Sequence, residues 1–200
     1  MVKFKDICPY GIDDCNTSIL CGFFYAMKFL EQDLEEIIYT SGRDVLDERG
    51  LTINGKLLRQ VRIGNYGIAD LIEFKRPCYD GPGREYFIPG RITIYELKKD
   101  QVGIAAFLQA ISYTKGIMEY LRLKKKHRQY IIDIVLIGKT VDDKGSFCFI
   151  ENTVCLTNDY YDKITNEIEP GTISFYKYKY DIDGLSFDNM SDYDLTDNGF

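Results

Sequence analysis

The sequence predicts an α/β fold: a central mixed sheet flanked by helices, in the order α-β-β-β-α-β, with a small α+β C-terminal extension. Three observations carry this. Apolar residues recur at helical spacing in two long segments, 17–40 and 101–124, with strand-like segments between and after them. The second helix lies between strand segments 92–97 and 131–137, and a strand–helix–strand unit implies a parallel pair with a crossover. The run 131–137 is apolar apart from Asp133, which suits a strand covered on both faces.

Each element has a local reason. Thr17 or Ser18 can cap the first helix, and Ile19, Leu20, Phe23, Phe24, Met27, Leu30, Leu34, Ile37 and Ile38 give it an apolar face. Glu31, Asp33, Glu35 and Glu36 fall in its C-terminal half, against the helix dipole, so they are either solvated or employed. Segments 57–63 and 68–75 read as two strands joined by the turn Gly64-Asn65-Tyr66-Gly67. Residues 76–91 are a Pro/Gly-rich insertion before the third strand, 92–97. The helix 101–124 runs into the basic residues Arg122, Lys124, Lys125, Lys126 and Arg128. Beyond 131–137, residues 147–150 read as extended and 158–168 as a helix ended by Pro170-Gly171. Residues 173–180 alternate as a half-exposed strand.

The organisation that follows is a single domain over 1–180, with its core at 17–137, an extension at 138–180 and an acidic tail at 181–200. The tail holds six aspartates and no Lys or Arg, and it carries the whole net charge of −6. Residues 1–180 hold equal numbers of acids and bases, so the acidic total does not exclude a nucleic-acid partner. A disordered solubilising tail is the preferred reading of 181–200; a mimic of nucleic acid, or a lure for a basic partner, is the alternative. No apolar run is long enough to span a membrane, and the N-terminal residues lack a signal h-region. A cytoplasmic location is expected, in the host if a phage encodes the chain. The six cysteines form no Cys-x-x-Cys pair, so they read as buried reduced thiols.

Chemistry concentrates in Glu96-Leu97-Lys98, at the end of the third strand. Residues two apart on a strand face the same way, so Glu96 and Lys98 project together and Leu97 points to the other layer. Asp70 lies near the start of the preceding strand and can stand beside Glu96. Carboxylates are ligands that Mg²⁺ accepts, with water and phosphate in the remaining positions. An ammonium beside them can orient water or meet charge developing on a phosphate. Alone, each of these residues is an ordinary surface acid or base; their order on the predicted elements is what gives the pattern weight.

Gly67-Ile68-Ala69-Asp70 followed by Ile94-Tyr95-Glu96-Leu97-Lys98 resembles the PD-(D/E)XK nuclease superfamily, which has a restriction-endonuclease-like core. Gln109-Ala110-Ile111-Ser112-Tyr113 is similar to the Gln-x-x-x-Tyr motif of its RecB-like and λ-exonuclease-like branch. Glu31-Gln32-Asp33-Leu34-Glu35 resembles the acidic first helix of its NucS-like members. No proline precedes Asp70, and the 76–91 insertion widens the gap to Glu96. The resemblance spans roughly residues 28–137. It implies a Mg²⁺-dependent deoxyribonuclease, with Mn²⁺ able to substitute, in which a metal-activated water attacks in line and leaves a 5′-phosphate.

In that reading Asp70 and Glu96 bind the metal with the Leu97 carbonyl. Glu31 or Glu35 completes the shell, with a slight preference for Glu35. Lys98 positions or activates the water, Gln109 orients Lys98 or the phosphate, and Tyr113 supports that helix face or touches the DNA backbone. DNA is the partner, with a homo-oligomer among the states allowed. Arg76, Arg84 and Arg91 in the insertion, and Lys124, Lys125, Lys126 and Arg128 after the helix, are candidates for nucleic-acid binding. The competing function is a catalytically silent nucleic-acid-binding or interaction subunit of the same fold.

Overall fold

A computed structural model of the chain describes residues 30–80, 86–142, 171–181 and 184–190. Apart from Leu30, all of these fall in one unit, Glu31–Phe200. Three α-helices occur among them: α1 (Glu31–Thr40), α2 (Arg43–Glu48) and α3 (Ile104–Leu123). The central strands are β1 (Lys56–Arg62), β2 (Ile68–Lys75), β5 (Gly90–Leu97), β7 (Tyr130–Gly138), β9 (Ile173–Asp181) and β10 (Gly184–Asn189). Two short pairs accompany them: the hairpin β3 (Cys78–Asp80) with β4 (Tyr86–Ile88), and β6 (Gln101–Val102) with β8 (Thr140–Val141).

The six central strands form one mixed sheet in the order β1-β2-β5-β7-β9-β10. β1, β2 and β5 are antiparallel neighbours; β5, β7 and β9 run parallel; β10 returns antiparallel on β9. The α/β class and the mixed sheet expected from sequence are thus present. The parallel β5–β7 pair flanks α3, as the strand–helix–strand pattern requires.

Helix α3 covers one face of this sheet. Tyr113, Ile117 and Leu121 pack with Ala69, Ile72, Ile92 and Ile94, while Ala106 and Ala110 pack with Val102, Ile134 and Leu136. Burying each large apolar side chain stabilises by about 1.5–3 kcal/mol. The approach is close at Gly116, where a Cβ would lie 2.5 Å from the Tyr66 ring and 2.6 Å from Ile63. Any larger residue there forces α3 away from the β1–β2 turn. Because β5 is pleated, Ile92, Ile94 and Glu96 share the α3 side, and Thr93, Tyr95 and Leu97 face the other way.

Several expectations need correction. Two of the four acids of the first helix, Glu31 and Asp33, sit in the first turn of α1, because α1 begins at Glu31, and there the dipole favours them. The part of the predicted helix before residue 30 lies outside the described residues, as do segments 147–150 and 158–168. The long helix starts at Ile104 because Gln101 and Val102 pair as a strand with Thr140 and Val141. The sheet extends beyond the core expected at 17–137: β9, from the C-terminal extension, pairs in parallel with β7. The acidic tail is not wholly tail. Gly184–Asn189 forms β10, whose Leu185 and Phe187 are buried and whose Asp188 pairs with Lys179 at 2.6 Å. Cys78 is exposed rather than buried, and the other five cysteines lie outside the described residues. Among the described residues, no helix is long and apolar enough to cross a membrane.

Candidate active site

The β2–β5 register sets the site. Leu71 is opposite Tyr95, so the next row outward holds Asp70 and Glu96. The Leu97 N–H donates to Asp70 Oδ2 at 2.9 Å. An extended residue directs its N–H and C=O to the same side, so the Leu97 carbonyl also opens toward β2. One residue on, the Lys98 N–H donates to the Ile137 carbonyl at 2.8 Å, which holds Lys98 in line with the strand. Lys98 Nζ donates to Glu96 Oε1 at 2.7 Å and lies 3.6 Å from Glu31 Oε1. The pairing of Glu96 with Lys98 is what their two-residue spacing predicts.

Glu96 is fully buried, and its second oxygen has no hydrogen-bond donor. Among the described residues only one other buried side-chain polar atom, His127 Nδ1, lacks a partner. A buried carboxylate oxygen without a donor is costly, so the arrangement leaves a demand for positive charge. Burial pushes the Glu96 carboxyl up to about 7, against the opposing pull of Lys98 and with added repulsion from Asp70. Asp70 is also raised, mainly by burial, while the Leu97 N–H and Lys98 pull it down and Glu31 and Glu35 add repulsion. For Lys98, burial lowers the ammonium but the bond to Glu96 and the charges of Glu96, Glu31 and Asp70 outweigh it, leaving a net rise. Lys98 is therefore a fixed cation, held for use as a charge.

The first helix resolves differently from the sequence preference. Glu31 is the residue that reaches the site: besides Lys98, its Oε2 accepts the Lys99 N–H at 3.3 Å. Glu35 is buried, but Arg59 holds one of its oxygens and Gln60 Nε2 holds the other. Glu36 takes the other arm of Arg59. Glu35 thus acts on Asp70 through its charge, one turn away from Glu31. Arg59 and Gln60 went unrecognised in the sequence. Gln60 stands at the row opposite Asp70, with φ +50°, an uncommon conformation for a residue with a Cβ.

Gln109 and Tyr113 also meet. Gln109 Nε2 donates to the Tyr113 hydroxyl at 2.6 Å, and that hydroxyl donates to the Ile68 carbonyl at 2.7 Å. The chain ties α3 to the start of β2, two residues before Asp70. Gly67, with φ +121°, admits the Tyr113 ring; a Cβ there would lie 2.9 Å from it.

The predicted nucleic-acid residues lie elsewhere. Arg91 Nη1 donates to Asp133 Oδ2 at 2.9 Å, so part of its charge serves that buried carboxylate. Arg76, Lys124, Lys125 and Lys126 are exposed. Arg84 lies outside the described residues, and Arg128 falls in the 3-10 turn His127–Gln129.

Among the described residues, no three His, Cys, Asp or Glu side chains are gathered as a ready metal cage. Mg²⁺ does not require one, since it is commonly held by one or two carboxylates with water and substrate oxygens. Asp70, the donor-free oxygen of Glu96 and the Leu97 carbonyl are hard oxygen donors on adjacent strands, and they fit that ion. No protein-family model, curated protein or solved structure matches this chain.

Proposed function

We propose that this chain is a metal-dependent nuclease with a restriction-endonuclease-like core, which hydrolyses phosphodiester bonds in DNA. One observation carries the reading: Asp70, Glu96 and Lys98 stand together at one end of two neighbouring strands, and a buried Glu96 oxygen there has no donor. The pairing of Gln109 with Tyr113 beside β2 and the approach of Glu31 to Lys98 support it.

Asp70, Glu96 and the Leu97 carbonyl would hold Mg²⁺, or Mn²⁺ in its place. The bound ion would lower the pKa of water and neutralise charge on the phosphate. The chain's own residues do the rest. The Leu97 N–H fixes the Asp70 carboxylate. Glu96 and Glu31 hold the Lys98 ammonium, which can orient the attacking water or face the charge that develops on phosphorus. The Gln109–Tyr113–Ile68 chain keeps the start of β2 in place. Glu35, with both oxygens engaged by Arg59 and Gln60, supports α1 and is not assigned as a ligand.

The test is cleavage of linear and circular DNA, single- and double-stranded, and of RNA, with Mg²⁺, Mn²⁺ or EDTA. Cutting of DNA that needs metal and disappears in Glu96→Ala is the expected result. A folded wild-type chain that cuts none of these substrates overturns the reading in favour of a silent binding subunit.

A further inference from the structure

The strands give the sheet two unlike ends. β2 leaves the candidate site at Asp70 and reaches the other end at Lys75; β5 returns from Gly90 to Glu96. The β3–β4 hairpin that joins them therefore stands at the far end. Five extended residues, from Asp70 to Lys75, at about 3.3 Å each put the foot of the hairpin roughly 17 Å from the carboxylates, with Tyr79 and Phe87 beyond it. The chain after α3 arrives at the same end. It passes through the turn His127–Gln129 into Tyr130, which is opposite Gly90 and stacks on Phe74 with ring centroids 5.5 Å apart.

This far end is basic and aromatic. Tyr79 and Phe87 are cross-strand partners on the hairpin, with centroids 5.3 Å apart, yet they are 61% and 41% exposed. A hairpin that merely packed on the sheet would hide them. Lys75, Arg76, Lys124, Lys125 and Lys126 are exposed, and none is in an ion pair among the described residues, though Lys124 Nζ lies 5.7 Å from the centre of the Tyr120 ring. These cations collect in a chain whose net charge is −6. Cations without a carboxylate partner, at the same end of the sheet as rings left in water, are a combination that binds a single strand: phosphates meet the charges and bases stack on the rings.

We propose that this end of the sheet is an anchor for single-stranded nucleic acid, with Tyr79 and Phe87 as the stacking platform and the lysines at the same end holding phosphates. The proposal takes its substrate class from the nuclease reading, but its test does not depend on catalysis. At about 3.4 Å per stacked nucleotide, the distance from the foot of the hairpin to Asp70 and Glu96 already corresponds to about five nucleotides. A shorter strand cannot occupy the anchor and the carboxylate end together.

The experiment is fluorescence anisotropy of labelled oligothymidines of graded length, with the full chain in EDTA so that nothing is cut. Wild type is expected to bind, with affinity rising with length as the strand covers the rings and the lysines. Tyr79→Ala with Phe87→Ala should weaken binding by about fivefold or more. Tyr79→Phe, which keeps a stacking face, should retain it. Replacing Lys124, Lys125 and Lys126 by Ala should lower the slope of log affinity against log salt by about two. All these side chains are exposed, so melting temperatures should match wild type. Undiminished binding by the aromatic double variant overturns the anchor, as does binding to peptides or vesicles with none to oligothymidine. Failure of the wild type to cut DNA overturns the nuclease reading, while the anisotropy still decides the anchor.

Discussion

Glu73 on β2 and Glu96 on β5 are both buried, on neighbouring strands of one sheet, and their oxygens are used differently. Glu73 accepts the Asn54 and Gly55 N–H groups on one oxygen and the Tyr95 hydroxyl, at 2.7 Å, on the other. Asp133, in the same cross-strand row as Glu73 and Thr93, is treated likewise. Its Oδ1 takes the Thr172 N–H and hydroxyl, and its Oδ2 takes Arg91. Glu96 has Lys98 on one oxygen and nothing on the other. A buried carboxylate whose oxygens are filled by main-chain and side-chain donors fastens loops to a sheet. One left short of a donor is kept for something that arrives later. The difference separates the structural row from the functional one, even though both contain buried acids.

Apart from loss of Glu96 itself, the largest break in this comparison should come from Lys98→Ala. It removes the fixed cation and is expected to cut the rate by about 10²-fold or more. Steady-state cleavage with matched circular dichroism checks it. Next is Glu73→Ala, which leaves two N–H groups and the Tyr95 hydroxyl without their acceptor. It should cost about 3 kcal/mol of stability by urea unfolding, while cleavage per folded molecule stays near wild type.

A pH dependence follows from the same contrast. The folded carboxyl of Glu96 is raised to about 7, above the roughly 4.3 of an unfolded glutamate. Between those values the folded state binds more protons, so stability falls as pH rises and stays low above about 7. Asp70, also raised, acts in the same direction. The span from Glu96 is at most about 4 kcal/mol, and Glu96→Gln should flatten it. Melting temperatures in EDTA from pH 5 to 8 check this.

The smallest effects sharpen the choice on α1. Glu31→Gln should slow cleavage by about tenfold, because it loosens Lys98. Glu35→Gln should leave the rate within a fewfold and cost about 1 kcal/mol, because it weakens the hold of Arg59 and Gln60. The reverse order of effects on rate would restore Glu35 to the metal shell.

What could be read in advance was local. The pleat made Glu96 and Lys98 neighbours from sequence alone, and i to i+4 spacing did the same for Gln109 and Tyr113. The choice between Glu31 and Glu35 was beyond reach. They share one helix face, and what separates them is Arg59 and Gln60, brought in from β1 by tertiary packing. Arg91 carried the composition of a phosphate binder, but its partner Asp133 lies on the neighbouring parallel strand. Glu73 drew no notice because its donors, Asn54 and Gly55, reach it only in the fold. β10 did have a signal, the alternation of Leu185 and Phe187 with Ser186 and Asp188, but the surrounding aspartates masked it.

The most direct test is a side-by-side cleavage measurement on DNA in Mg²⁺ with wild type, Glu96→Gln and Glu73→Gln, each normalised to folded protein. The account predicts metal-dependent cutting by wild type and Glu73→Gln, and a loss of about 10³-fold in Glu96→Gln. Equal cutting by all three, or loss in Glu73→Gln with Glu96→Gln intact, would contradict it.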